Sequence, residues 1–493
     1  MGTVNDLKKV GAIMAALALI MTGAMGCTGT PSSSGNSSDL PVGTTTGTTE
    51  ATDTSESSSS STQEPTEYIP PENIEGSIEI TTDKQNKLFI SGFRYGTTQT
   101  HYMWESKNAV AAKTAAECIR NVSVINNQHI ISFGASYMQE SQGAPLDFTS
   151  LDARLTRLKM LGGEYMLTFC SAPGWMLVSN PEGKYDPESR PKEEYFDDYA
   201  QLCAEVAKRY PEVKYFQIWN EFKGFWNSST NWWDDALYLK FYNKIYKAVK
   251  AVRPDALVGG FYMGIRGDGS EQFGFSAVDT FDPLSDKEDG NLVWESMRYW
   301  LNNKEGADFI CFDRGIQGFR NSADYTVEQA FQLTKEYQAI LEKIRELTDL
   351  PLIMSEFYGH RPAKSSLDMS QEYKAAHYAM IYKYMLQGAR DRSYTALLWM
   401  EEEKNGVSLF TDTNAMSGGQ PTKFYDMTYE FTQNFSKGHT IINSGSADES
   451  KIEVIASETR VMAINKTDSR QVVKYGDRYY EMSPFEVLFL DVI

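Results

Sequence analysis

The sequence predicts an α/β fold: a closed (β/α)8 barrel, the TIM-barrel architecture, followed by a small C-terminal β-sandwich-like module. Three observations carry that expectation. From about residue 84 to 435, short apolar runs alternate with long amphipathic ones. Eight such runs occur, at 88–92, 129–133, 165–169, 215–219, 256–261, 309–312, 352–355 and 396–400. They are near-continuously apolar rather than alternating, as expected when helices cover a parallel sheet.

The intervening segments have helical periodicity. Phe196, Tyr199, Cys203 and Val206 keep one face, and Ala375, Tyr378, Ala379, Tyr382, Met385 and Leu386 do the same further on. Further helices are expected at 108–121, 151–161, 234–252, 292–302, 327–347 and 422–435. Pro211, Pro254 and Pro351 each fall between a helix and the next strand, where a stop is needed. The rival fold is an open doubly wound sheet. It would suit a glycine-rich phosphate turn after the first strand, and Gly92-Phe93-Arg94-Tyr95-Gly96 supplies none.

After residue 435 the texture changes. Strand-like runs at 440–443, 451–456, 461–465, 471–475 and 487–492 are separated by turn residues such as Asn443-Ser444-Gly445 and Gly476-Asp477. These 58 residues are too few for a stable independent sandwich, so this module (436–493) is expected to pack on the catalytic domain (84–435). The lead-in, 67–83, is expected to lend it a strand at 77–81.

Composition narrows the function. The 493-residue chain carries a formal charge of −19, which argues against a nucleic-acid partner, since phosphate binding calls for a basic surface. Aromatics at 13% are too many for a disordered protein. Lys8 and Lys9 precede an apolar segment that ends in Ala24-Met25-Gly26-Cys27, the build of a secretory signal over 1–26. Small residues followed by Cys resemble the bacterial lipobox, with Ala24 where Leu is preferred, and this implies that Cys27 is the lipid anchor. Residues 27–66 are rich in Ser, Thr, Gly, Pro and acids, a flexible tether. The expected location is therefore exported, at the cell surface, with membrane contact only through the lipid. Cys118, Cys170, Cys203 and Cys311 lack metal-binding spacing and read as isolated buried thiols, with one disulfide among them left open by export, and five His form no cluster with them. No metal and no cofactor are expected.

In such a barrel the reactive side chains project from the C-terminal strand ends. The fourth strand ends Trp219-Asn220-Glu221-Phe222 and the seventh ends Ser355-Glu356-Phe357-Tyr358. Glu221 and Glu356 stand 135 residues apart, over three βα units, so they face one another across the mouth. Two opposed carboxylates are the minimum equipment for glycoside hydrolysis: one protonates the leaving oxygen and the other attacks the anomeric carbon. Either Glu alone would more often be a solvated rim residue; the pairing on strands four and seven carries the reading. Trp226, Trp232 and Trp233 follow Glu221 in a loop, and Trp175 follows the third strand. Their rings suit the apolar C–H faces of sugars, although packing onto the next helix also accounts for Trp232 and Trp233. Glu401, Glu402 and Glu403 read as an acidic rim.

Trp219-Asn220-Glu221 resembles the acid/base motif of clan A glycoside hydrolases, and Ser355-Glu356-Phe357 resembles their nucleophile motif. Ser171-Ala172-Pro173-Gly174-Trp175 and the C-terminal module are most similar to family 39, with families 30 and 51 close behind. The resemblance spans roughly residue 77 to the C-terminus. It implies retaining hydrolysis of O-glycosidic bonds in a polysaccharide or oligosaccharide, with a xylose- or arabinose-type hemicellulose as the expected substrate. It further implies that Glu221 is the acid/base and Glu356 the nucleophile, that Asn220 bonds the hydroxyl beside the anomeric carbon, and that Trp399 floors the sugar site. Asp313 and Tyr358 complete the expected substrate-binding set. Family 39 typically ends strand six with a His and a nearby Tyr; this chain has Asp313 and Gly315 there. Strand two lacks the Arg often found near the nucleophile. An inactive barrel relative therefore stays open, as do a sugar-binding transport lipoprotein of two doubly wound lobes and a surface adhesin using the C-terminal module.

Overall fold

The computed structural model describes residues 74–99, 104, 106–133, 138–178, 189–222, 224–227, 229–230, 232–265, 292–317, 326–361, 370–400 and 407–493. The signal segment, Cys27, the tether and Glu401 to Glu403 lie outside the described residues. In chain order the elements are β1 (Ile78–Ile90), β2 (Phe93–Thr98), α1 (Ala109–Val122), β3 (Ile125–His129), α2 (Thr149–Leu161), β4 (Glu164–Phe169), α3 (Phe196–Arg209) and β5 (Tyr215–Ile218). Next come β6 (Trp226–Asn227), β7 (Trp232–Trp233), α4 (Asp235–Val252), β8 (Leu257–Gly264), α5 (Leu292–Asn303), β9 (Phe309–Gln317), α6 (Val327–Leu333), α7 (Glu336–Leu347) and β10 (Leu352–Arg361). The chain ends with α8 (Gln371–Ala389), β11 (Tyr394–Trp399), α9 (Lys423–Phe435), β12 (Thr440–Ser446), β13 (Ile452–Ser457), β14 (Arg460–Asn465), β15 (Gln471–Tyr475), β16 (Arg478–Met482) and β17 (Val487–Asp491).

Eight strands close into a barrel in the order β10-β11-β2-β3-β4-β5-β8-β9, and every adjacent pair is parallel. Several helices start on side-chain caps that satisfy free backbone N–H groups. Asn108 accepts from Ala111 N, Asp234 from Leu237 N and Ser370 from Tyr373 N. Each covering helix then buries one stripe; in α4 this is Tyr238, Phe241, Tyr242, Ile245 and Val249.

Two barrel strands lie away from where the apolar runs place them. Residues 88–92 largely finish β1, where Leu88 and Ile90 are exposed, and the first barrel strand is β2. The second strand is β3, at 125–129, rather than 129–133. Both true strands are rich in polar residues that point into the lumen or pair with one another, so an apolar-run criterion passes over them. The single helix expected at 327–347 is two, α6 and α7, with Thr334 between them donating its hydroxyl to the Phe331 carbonyl at 2.6 Å.

The C-terminal module is one seven-stranded sheet, ordered β16-β15-β1-β12-β13-β14-β17. Its first strand comes from ahead of the barrel: β1 pairs antiparallel with β12 and parallel with β15, with register shifts around Lys87. The sheet is sandwich-like because its two wings share a core, in which Ile78, Ile80 and Val473 meet Ile442, Val454 and Leu490. Its other face, with Ile441, Ile455, Met462 and Ile464, continues the core of the barrel.

Helix α8 makes that continuity possible. It is buried nearly all round, unlike the one-sided helices of the barrel wall. Glu453 of β13 reaches it and pairs with Lys383, and Lys466 joins at 3.2 Å. Burial would raise the Glu453 carboxyl, but the two lysines outweigh it and hold the group below the usual carboxylate range. A depressed folded-state pKa stabilises above the unfolded value, about 4.3 for Glu, and that contribution is lost as pH falls through the folded value. Glu453→Gln is therefore expected to cost about 3 kcal/mol near neutral pH by leaving Lys383 buried and unpaired. Denaturant unfolding of both proteins between pH 7 and 3 should show the difference shrinking with acidification; a constant difference refutes the assignment.

Candidate active site at the barrel mouth

The lumen is layered. At its floor Arg94 pairs with Glu164, which also accepts from Tyr215 at 3.1 Å and from Lys214 at 2.5 Å. Above lies an apolar plug that includes Ile125, Met166, Phe309, Cys311, Ile353 and Leu397. The next layer is polar. Asn127 donates to Thr98 Oγ1 at 3.2 Å and accepts from Thr168 at 3.0 Å. Thr98 in turn donates to the Ser355 carbonyl at 2.6 Å, and the Ser355 hydroxyl bonds Gln217. These side chains are buried, and each finds its partner in the lumen.

That layer sets the orientation of Glu356. Ser355 on β10 directs its hydroxyl inward to β5, so simple alternation would turn the next residue outward toward the helices. The pairing of β10 with β9 slips between Met354 and Glu356, however, and Glu356 comes level with Asp313. A second slip, between Gly260 and Met263, interrupts the pairing of β8 with β9. It contains Phe261, whose φ is +60°, and leaves Tyr262 in contact with the lumen residues. Both neighbours of β9 are thus bulged at the same height, a device that re-aims side chains beside functional sites. Asp313 and Glu356 are 1% and 7% exposed.

The fourth barrel strand ends in strained backbone. Trp219, Glu221 and Phe222 have φ of +66°, +45° and +54°, each in the left-handed region that non-glycine residues avoid, at a cost of about 1 to 3 kcal/mol apiece. Aromatic packing holds the turn. The Trp219 ring meets Phe241 edge-on at 5.4 Å, and Phe222 stacks on Tyr238 at 3.8 Å. Between these anchors lie Asn220, 2% exposed with a buried Oδ1 that has no hydrogen-bond partner, and half-buried Glu221.

Tyr262 is where these elements meet. Its hydroxyl is buried and has no partner at full hydrogen-bond geometry. Its pKa is pushed well above the usual phenol value, first by burial and then by the charges of Glu356, Asp313 and Glu221. Carboxyl groups on β9, on β10 and just past β5 thus lie within electrostatic reach of one phenol that keeps its proton. Sequence reasoning missed Tyr262, because it sits inside the apolar run Leu257-Val258-Gly259-Gly260-Phe261-Tyr262-Met263, which reads as ordinary core.

Beyond β9 and β10, Arg314 turns away from the lumen to pair with Glu336 of α7, both deeply buried. Burial raises the Glu336 carboxyl against the opposing pull of Arg314. The Tyr337 hydroxyl donates between the Tyr358 and Arg314 carbonyls, at 2.9 and 3.2 Å. The absence of a side chain at Gly315 has a local reason: a Cβ there would lie 1.7 Å from the Tyr358 ring. Opposite, the half-buried Trp399 is braced by Phe133 at 5.5 Å, and Phe133 by His129 at 4.6 Å, both edge-on. Trp175 and Trp226 stand in the loops that follow β4 and β5. Trp175 packs on Tyr195 at 5.0 Å and Trp226 on Trp233 at 5.0 Å. Among the described residues, no group of three or more His, Cys, Asp or Glu is arranged to hold a metal ion, and the four described cysteines are buried and unbridged.

The Gly315 geometry is testable. Gly315→Ala should destabilise the protein by about 1 to 3 kcal/mol through overpacking. In a Tyr358→Ala background the same change should cost far less, because the clashing ring is gone. Additive effects in thermal unfolding would show that Tyr358 is not what excludes a side chain at 315.

No protein-family model matches the sequence, and comparison with curated proteins gives no match. Solved structures share the fold at low identity. A conserved exported protein from Bacteroides fragilis aligns with a TM-score of 0.56 and 13% identity, covering 84% of this chain and 98% of its own. SrfJ from Salmonella typhimurium gives 0.52 and 14%, covering 86% and 93%. A monomeric β-xylosidase from Caulobacter crescentus gives 0.51 and 14%, covering 79% and 76%. The chain thus has a fold also used by glycoside hydrolases.

Proposed function

We propose that this protein is a retaining glycoside hydrolase that cleaves O-glycosidic bonds in a polysaccharide or oligosaccharide. The observation that carries the reading is that Glu356 comes level with Asp313 on adjacent strands, with Glu221 just past the end of β5, at the C-terminal mouth of the barrel. Catalytic residues of this fold sit at that end, and paired carboxyl groups there match the chemistry of glycoside cleavage.

In this mechanism the Glu356 carboxylate attacks the anomeric carbon while Glu221 gives its proton to the leaving oxygen, and the glycosidic C–O bond breaks. A water then attacks the glycosyl ester on Glu356. Glu221 takes the water's proton, and the sugar leaves with its configuration retained. Tyr262, whose proton is held tightly, is placed to donate toward Glu356 and not to compete with it as an anion. Asn220, fixed in the strained turn, is assigned to the sugar hydroxyl beside the anomeric carbon. A xylose- or arabinose-type hemicellulose is the proposed substrate, supported by the sequence resemblance and by the β-xylosidase among structures of like fold.

Glu356→Gln is expected to abolish turnover of every glycoside. Glu221→Ala should spare the first step for aryl glycosides with good leaving groups, and azide should restore their turnover. Proton NMR of the first-formed sugar should show retention, which corresponds to carboxyl groups about 5 to 5.5 Å apart; inversion would imply about 6.5 to 9.5 Å and a different role for Glu356. Wild-type rates for Glu356→Gln would end the assignment.

We place the protein outside the cell on a lipid anchor at Cys27, on the strength of the signal-like segment and the tether. Cys27→Ser should move it from the membrane fraction to the soluble one. A variant that stays with the membrane contradicts the anchor.

A further inference from the structure

The helical segment between β9 and β10 breaks at Thr334, and α7 starts afresh with Glu336 and Tyr337 side by side. Both are buried, and both reach the rim of the barrel just above Asp313 and Glu356. The strand ladders are incomplete there. The pairing of β8 with β9 ends at Gly264, level with Asp313. The pairing of β9 with β10 slips between Tyr358 and Arg361. Buried carbonyl groups at such a break need other partners. The Tyr337 hydroxyl serves two of them, Tyr358 on β10 at 2.9 Å and Arg314 on β9 at 3.2 Å. The Arg314 guanidinium serves two more, Gly315 at 2.7 Å and Ile265, just past β8, at 3.5 Å. Glu336 holds that guanidinium in place from α7.

Two adjacent residues of one helix thus tie together the ends of three consecutive barrel strands, which carry Tyr262, Asp313 and Glu356. Arg314 directly follows Asp313, and Ile265 N bonds the Asp313 carbonyl at 2.9 Å. Stability is a poor account of this cluster. Both charged side chains are 3% exposed, and desolvation of so buried a pair offsets most of its attraction. What the pair supplies is direction, because guanidinium donors are fixed in one plane. Direction matters beside a reacting centre, where a misplacement of about 1 Å can cost on the order of a hundredfold in rate. Arg314 turns away from the lumen and the other two side chains come from a covering helix. Their influence on a reaction in the lumen therefore passes through the backbone of the strands they hold.

We infer that Tyr337 and the Arg314–Glu336 pair are positioning residues, which fix the ends of β8, β9 and β10 and so hold Glu356 at the height of Asp313 for attack. This rests on the proposed glycosidase reading, and the measurements below separate the two. Tyr337→Phe keeps the ring and removes one hydroxyl. It should lower kcat about tenfold, one hydrogen bond expressed as rate, with KM little changed. The loss should be equal for aryl glycosides with good and poor leaving groups, since Glu356 attacks in both. An unchanged kcat overturns the inference, and so does a loss confined to poor leaving groups, which would place the disturbance at Glu221. Replacing the pair by apolar side chains, Arg314→Met with Glu336→Met, should leave the melting temperature near that of the wild type and still lower kcat at least as far. Wild-type kcat in that double variant rejects a positioning role for the pair; should it not fold, Tyr337→Phe decides alone. Amide hydrogen exchange gives a readout that needs no substrate. Tyr337→Phe should speed exchange roughly tenfold at 313–316 and 356–359 while β3, β4 and β5 keep their rates. Unchanged exchange at those amides rejects the tie between α7 and the strands whatever the activity. A wild-type protein inactive on every glycoside would end the glycosidase reading, and the exchange comparison would still decide whether α7 fixes these strand ends.

Discussion

Ser355 is held twice in the lumen, by its hydroxyl on Gln217 across the barrel and by its carbonyl on Thr98. With that residue fixed inward, the pleat of a regular strand would bury Glu356 among apolar helices, where an unpaired carboxylate is prohibitively costly. The slip in pairing after Met354 resolves the conflict by bringing Glu356 to the height of Asp313. The matching slip in β8 brings Tyr262 to the same place. Much of the chemistry available at the mouth therefore follows from a polar belt one layer below it, where buried hydrogen-bonding groups must find partners.

The mouth concentrates acid groups in little space. Three carboxyl groups act on one buried phenol in a chain that already carries a charge of −19. The strained turn at Trp219, Glu221 and Phe222 fits the same picture. Left-handed backbone persists where surrounding packing over-determines it, and here the determinants are Phe241 and Tyr238, both on α4.

The module shares a continuous core with the barrel. Helix α8 is buried on the barrel side by its own neighbours and on the other by β14 and β17, and the Lys383 to Glu453 pair crosses that boundary. With β1 contributed from the far end of the chain, the sheet cannot form until both ends of the barrel segment have come together. Barrel closure and module assembly are thus coupled through one strand.

Much of the architecture was legible in the sequence. Eight apolar runs, their spacing and the helical stripes between them predict the closed barrel, because helices covering a parallel sheet demand that composition. The positions of Glu221 and Glu356 at strand ends were legible too, since each breaks an apolar run. What escaped were strands whose buried residues are polar. Thr98 pairs with Asn127 inside the barrel and Thr97 with Asn126 on its outer face, and only tertiary structure reveals such partners. Tyr262 escaped for a related reason: a bulge shifts side-chain direction by one residue, and nothing local marks where it falls. Residue types and their order determined that a barrel would form with two glutamates at strand ends. The register between neighbouring strands, a long-range property set by lumen hydrogen bonds, decided that Glu356 and Tyr262 turn inward to join Asp313 and Glu221.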